Sequence, residues 1–241
     1  MTSAEVRDLF ELNGLVLDDE KVSKLLEYER LLLAWNEKIN LVSRRDTSDV
    51  FIRQIVGSVS FLFSYQLAGR STLHDVGSGG GLPGIPLAII YPDINVTMID
   101  SIQKKMKTVT DIVANLALSN ARVLCGRVEE LDPARLAKPG KPFKFDYVVA
   151  RGVSSASDIV VWCRRLLSKR GLAAQAGSVA DADRRTPIPT GSYILLKGGD
   201  LAAELASLSE VAGPGTVTVR PLAVDGAADL FTDKKVVVIT P

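Results

Sequence analysis

The sequence predicts an α/β fold, a mostly parallel sheet with helices on both faces, entered through a helical N-terminal extension. Three observations carry this reading. From Thr72 onward, short apolar β-rich runs recur (TLHDV, VTMID, ARVLC, FDYVVA, SYILLK), and helix-patterned stretches separate them. The last two runs, TVTVRPL and KKVVVIT, follow each other without a long helix, which predicts an antiparallel pair at one end of the sheet. Before Thr72 the apolar residues recur at helical spacing instead. The expected division is a helical subdomain over residues 1–70 and a sheet domain over 71–241.

Taken in order, Thr2 and Glu5 have the spacing of a capping box, which opens the first helix. Asp18 or Asp19 caps a second, longer helix. Its apolar face is Leu25, Tyr28, Leu32, Trp35 and Ile39, and it is expected to end near Asn40. A further helix is expected from about Ser48 to Tyr65. In the sheet region helices are expected over 84–91, 101–118, 154–168 and 201–211. Residues 171–191 are small, polar and Gly/Pro-bearing, and read as a long mobile loop. There is no internal repeat.

With 241 residues, 46% hydrophobic and 24% charged, the chain suits one large domain with a sizeable core, or one domain with a helical extension. Cys125 and Cys163 stand alone and far apart, which points to a reducing compartment. His74 is the single histidine and there is no CxxC, so no protein-bound metal is expected. It lies inside the first strand and reads as a packed side chain, not a catalyst. The N-terminus lacks a signal-peptide pattern and no apolar run has spanning length, so no membrane association and a cytoplasmic location are expected. The net charge is +1. Locally, residues 138–170 hold eight basic residues against two acidic ones, and 101–127 hold five against one. A basic middle of this kind attracts phosphates.

The chemistry-bearing stretch is LHDVGSGGGLPGIPLAII, residues 73–90. A strand ends in Asp75, five glycines follow (Gly77, Gly79, Gly80, Gly81, Gly84), and a helical pattern begins. Strand, glycine turn and helix start make a nucleotide cradle, because glycines admit a ligand close to the main chain. Asp100 closes the next strand 21 positions after Gly79, where a carboxylate accepts both hydroxyls of a ribose. That much leaves NAD and S-adenosylmethionine open. Asp75 favours the second: a carboxylate there repels a pyrophosphate and suits a cationic amino group. Pro83 and Pro86 also stiffen the helix start instead of leaving N–H groups free for phosphate.

The segments AWNEKINLVSRRD, DVGSGGGLPGIPLAI, MIDSIQKKMK, GRVEEL, VVARGVS and LLKGG occur in an order that resembles the RsmG (GidB) family. The resemblance covers nearly the whole chain. It implies a class I S-adenosylmethionine-dependent methyltransferase, Rossmann-like, with a mostly parallel seven-stranded sheet. The implied activity is methyl transfer to N7 of guanine-527 in the 530 loop of 16S rRNA, on the RNA or the 30S particle, by a monomer without metal.

Carried over by position, the resemblance implies cofactor contacts at Asp75, Gly77, Gly79, Leu82, Asp100, Val128, Glu129 and Arg151. No general base is expected, because N7 brings its own lone pair; Arg151 is the candidate at the reaction centre. Arg44, Arg45, Arg53, Lys104, Lys105 and Lys197 are the RNA candidates, by charge and by nearness to the motifs. The family commonly carries Arg-His-x-x-Asp-Ser where this chain reads Arg53-Gln54-Ile55-Val56-Gly57-Ser58. The competing readings are an NAD-dependent oxidoreductase and a non-catalytic RNA-binding or ribosome-assembly protein on the same fold.

Overall fold

The computed structural model describes residues 1–42, 49–137, 143–169, 185–208, 210–213 and 215–241. The first helix, α1 (Ser3–Leu12), starts at Thr2, whose hydroxyl accepts from the Glu5 amide while the Glu5 carboxylate accepts from the Thr2 amide. Asp18 caps α2 (Asp19–Asn36) by accepting from the Lys21 amide. That helix ends earlier than its apolar pattern implies. The Asn36 side-chain oxygen takes the amides of Leu41 and Val42, at 2.8 and 2.9 Å, and turns the chain back. Leu25, Tyr28 and Leu32 are fully buried on its inner face; each such leucine contributes about 1.5–3 kcal/mol by leaving water.

A helical run follows with changing pitch. It is a π-helix over Phe51–Val56, a single α-helical turn, α3, over Gly57–Val59, and a 3₁₀ turn over Ser60–Phe63. The two-residue strand β1 (Tyr65–Gln66) ends it. Then strands and helices alternate: β2 (Thr72–Val76), α4 (Gly84–Ile90), β3 (Asn95–Asp100), α5 (Gln103–Asn115), β4 (Ala121–Cys125), the short α6 (Pro133–Leu136), β5 (Tyr147–Arg151) and α7 (Ala156–Cys163). The last elements are β6 (Thr186–Pro187), β7 (Ser192–Gly198), α8 (Ala202–Leu208), β8 (Thr216–Pro221) and β9 (Lys234–Thr240).

The seven-stranded sheet has the order β4-β3-β2-β5-β7-β9-β8. β4, β3, β2, β5 and β7 run parallel, whereas β9 is antiparallel to both β7 and β8. The chain winds outward from β2 in both directions, so its carboxyl end and that of β5 form the crevice where such sheets bind ligands. One face is covered by α1, α2, the mixed helical run, α4 and α5 in a single core that includes Leu25, Ile55, Ile85, Val109 and Val149. The other face is covered by α7 and α8 around Val148, Ile159 and Leu195.

The reading of 171–191 as loop needs correction at its C-terminal end; residues 171–184 lie outside the described residues. Thr186 and Pro187 pair in parallel with Tyr65 and Gln66, Ile188 is buried, and its carbonyl accepts from the Tyr147 hydroxyl at 2.9 Å. The partners that fix this segment lie about 40 to 120 positions away in sequence, so local composition does not reveal them.

His74 is fully buried, stacked on Phe145 with ring centroids 4.4 Å apart, and its Nδ1 lies 3.0 Å from the Thr97 carbonyl. Burial pushes its pKa down to about 4 despite that hydrogen bond. It is a neutral core residue at ordinary pH, as the sequence reading has it.

Candidate functional site

The glycine loop leaves β2 at Gly77. Gly77 has φ +69°, and a Cβ there would come 2.5 Å from the Val153 side chain. Its amide and that of Ser78 both donate to the Ile99 carbonyl, at 2.8 and 3.1 Å, which binds the loop to β3. Gly79 has φ +56° and faces open space, and its amide donates to Asp100 Oδ2 at 3.1 Å. The Tyr28 hydroxyl reaches across from α2 to the Gly80 carbonyl at 3.0 Å. The N-terminal helices therefore brace the loop directly.

Two connected clefts open around this loop. The first, about 300 Å³, is lined by Val76, Ile99, Asp100, Ile102, Val128, Glu129, Val153 and Trp162. The second, about 400 Å³, is lined by Val42, Gln54, Gly77–Gly80, Leu82, Asp100, Lys105, Arg151 and Val153. Asp100 borders both; its second oxygen accepts from the Ile102 amide at 2.9 Å. Beyond Arg151 lies a third cleft, about 500 Å³, with Arg53, Lys197, Asp229, Phe231, Asp233 and Lys234 on its walls. Gln54, Arg151 and Gly152 line both the second and the third.

The structure thus brings Gly77, Gly79, Leu82, Asp100, Val128, Glu129 and Arg151 to one connected crevice. The turn carrying Val128 and Glu129 is held by Arg165, which donates to both their carbonyls. Asp75 departs from the expectation of a direct ligand contact. It is fully buried beneath the loop, lines none of these clefts, and accepts from the Gly84 amide at 2.9 Å. Its role is to hold the start of α4 and, when ionised, to set a negative charge under the crevice.

Burial raises the Asp75 pKa to about 7, with the Gly84 hydrogen bond opposing, Asp100 adding to the rise and Arg151 opposing it. The native state therefore keeps a proton that the unfolded chain releases near pH 3.8. The stability contributed by Asp75 falls as pH rises from about 4 to about 7 and is flat above. Asp75→Asn keeps an acceptor for Gly84 but removes the buried charge. At pH 8 the variant is expected to be more stable than the parent, by a few kcal/mol at most. The gain is expected to vanish below pH 4. Urea unfolding at both pH values checks the sign, and equal stability at pH 8 would show that Asp75 is not charged in the fold.

Among the RNA candidates, Lys105 lines the second cleft and Lys104 beside it on α5 is exposed. Arg53 lines the third cleft, 3.6 Å from Asp49. Lys197 is largely buried: its ammonium lies 2.6 Å from Glu204 and donates to the Ser154 carbonyl. Arg44 and Arg45 lie outside the described residues. Sequence reasoning missed Trp162, which gives no motif signal. It leaves Gln54 as a departure without a role and reads Gly57 as close packing against the sheet domain. Gln54 accepts from Arg151, and a Cβ on Gly57 would come 2.8 Å from the Phe231 ring, so Gly57 marks a close approach of the helical run to the turn before β9.

A doubly wound sheet with an antiparallel last strand, a glycine turn after its first long strand and an acidic residue ending the next define the class I S-adenosylmethionine-dependent methyltransferases. Residues 21–176 match the GidB family model, rRNA small subunit methyltransferase G. The Ribosomal RNA small subunit methyltransferase G of Chlorobium luteolum is 32% identical over 230 residues, 93% of this chain and 84% of that protein. Its namesake from Burkholderia lata is 38% identical over 180 residues, 75% of this chain and 77% of that protein. The chain belongs to the rRNA small subunit methyltransferase G family and is a methyltransferase.

Proposed function

We propose that this protein transfers the methyl group of S-adenosylmethionine to N7 of guanine-527 in the 530 loop of 16S rRNA. Family membership supports the reaction class and the RNA, and the junction of the second and third clefts at Arg151 and Gly152 supports a meeting point for donor and acceptor.

The residues present fit the donor. Asp100 borders both inner clefts and suits a pair of ribose hydroxyls. Val128, Ile99 and Trp162 offer an apolar slot for a planar base. The open space at Gly79 leaves main chain accessible to a ligand. When bound, S-adenosylmethionine supplies a sulfonium methyl electrophile. The protein's part is positioning and field: Asp75 beneath the crevice favours a cationic ligand, and the apolar slot excludes water. Guanine N7 carries an in-plane lone pair and no proton, so no general base is needed. The fully buried, neutral His74 lies away from the crevice and is consistent with that.

The test is transfer of labelled methyl to 16S rRNA and to 30S particles, with mapping of the modified base; a label elsewhere or none would overturn the proposal. Lys104 and Lys105 sit at the start of α5, where the helix dipole disfavours cations, so their use is expected to lie with the RNA. Because Lys105 also lines the second cleft, it is Lys104→Ala alone that is expected to bind S-adenosylmethionine like the parent, and the double alanine variant is expected to methylate poorly. It should also show a shallower dependence of RNA affinity on salt. An unchanged salt slope would remove both lysines from the RNA surface.

We further infer that residues 1–70 act as a brace for the glycine loop and the RNA-facing wall, with 71–241 carrying the donor site. Tyr28 on Gly80 and Gln54 on Arg151 support this division of labour. No helix among the described residues is long and apolar enough to cross a membrane, and no group of metal-ligating side chains occurs among them.

A further inference from the structure

The segment Arg151–Ser154 is the wall between the donor side and the third cleft. Three contacts from three different elements hold it. At its C-terminal end the Ser154 carbonyl accepts from Lys197 of β7, and Lys197 is itself paired with Glu204 of α8 at 2.6 Å. In its middle Val153 leans over Gly77 so closely that a Cβ there would meet it at 2.5 Å. At its N-terminal end the Arg151 guanidinium donates twice to one residue of the π-helical run. Nη1 reaches the Gln54 carbonyl at 2.8 Å and Nη2 reaches the Gln54 side-chain oxygen.

We propose that Gln54 is a positioning residue for methyl transfer: it fixes the Arg151 guanidinium on the boundary between the two clefts, where acceptor nucleotide meets donor. An arginine side chain has four rotatable bonds and loses up to about 2 kcal/mol of rotamer freedom when fixed. Through space its charge opposes the rise in the Asp75 pKa. Gln54 lies in the π-helical run Phe51–Val56, in keeping with the frequency of π turns at functional sites. Asp100 and the glycine loop are held by bonds that do not involve Gln54: Asp100 accepts from the Gly79 and Ile102 amides, and Gly77 and Ser78 donate to the Ile99 carbonyl.

The inference rests on the methyl-transfer reading, and the experiment separates the two. Gln54→Leu keeps the volume and removes the side-chain acceptor; Gln54→Glu keeps the acceptor oxygen. Gln54→Leu is expected to lower turnover on the RNA substrate at least tenfold, a larger factor than any change in the Kd for S-adenosylmethionine. Gln54→Glu is expected to recover most of that loss. A second readout does not need turnover: modification of Arg151 by phenylglyoxal, mapped by mass spectrometry, is expected to be several-fold faster in Gln54→Leu than in the parent or in Gln54→Glu. Equal modification rates in all three proteins overturn the proposal, as does turnover of Gln54→Leu within twofold of the parent. If Gln54→Leu does not fold, Gln54→Asn, too short to reach, takes its place with the same two readouts. A parent without methylation activity would overturn the proposed function, and the modification rates would still decide the positioning role.

Discussion

Asp100→Ala is expected to weaken binding of S-adenosylmethionine by about 10- to 150-fold, with the fold retained. The carboxylate borders both inner clefts and accepts from the amides of Gly79 and Ile102 at 3.1 and 2.9 Å. Its removal acts in two ways. The ligand loses a charge-assisted acceptor, worth about 1.5–3 kcal/mol, which is the stated range in affinity. The loop also loses the bond that fixes the Gly79 amide, so the crevice is less well formed before the ligand arrives. Asp100→Asn keeps one acceptor oxygen and is expected to fall between parent and alanine variant. Calorimetric titration with S-adenosylmethionine, alongside circular dichroism for the fold, measures both. Parent-like affinity in the alanine variant would remove the acidic end of β3 from the donor site.

The sheet was legible because its signals are local. Runs such as TLHDV and KKVVVIT carry strand propensity in their own residues, and turn-forming or helix-patterned residues flank them. The glycine loop was legible for the same reason, and so was the shared cleft of Asp100, Val128 and Glu129 once the motifs were placed. The short strands β1 and β6 were not legible. Two-residue strands have no periodicity, and they exist because the Thr186 amide meets the Ser64 carbonyl across the fold. Long-range contact also decides the roles the sequence left open or misplaced. Lys197 is a lysine in a strand-end motif until Glu204 is seen beside it, and Gln54 is only a departure from the family pattern until Arg151 is seen to end on it. Asp75 reads as a ligand group from its motif, yet the depth of β2 in the sheet puts its carboxylate under the loop. Pattern reveals which residues share an element; it does not reveal which side of a loop a carboxylate ends on.

Two glycines of one loop are expected to fail in opposite ways when given a methyl group. Gly84 opens α4 with a helical backbone, so alanine is not excluded there by conformation. The obstacle is space: the added Cβ would meet the Met98 side chain and would lie 2.7 Å from Asp75 Oδ2. Met98 is fully buried in β3 and cannot swing away, and Asp75 is held by the Gly84 amide itself. Overpacking of this kind costs about 1–3 kcal/mol, and displacing the Asp75 carboxylate adds the loss of a buried hydrogen bond of about 1–3 kcal/mol. Gly84→Ala is therefore expected to lose a large part of the roughly 5–15 kcal/mol stability usual for a domain, seen as a lower urea midpoint. Gly79 is the reverse case. Nothing lies within 4 Å of an added Cβ, and the cost is the left-handed backbone at φ +56°, about 1–2 kcal/mol. The new methyl would stand in the open space of the second cleft. Gly79→Ala is expected to remain folded, with a modest fall in urea midpoint, and to lose at least tenfold in affinity for S-adenosylmethionine. If Gly79→Ala bound the donor as the parent does, the space in front of Gly79 would not be where the ligand lies.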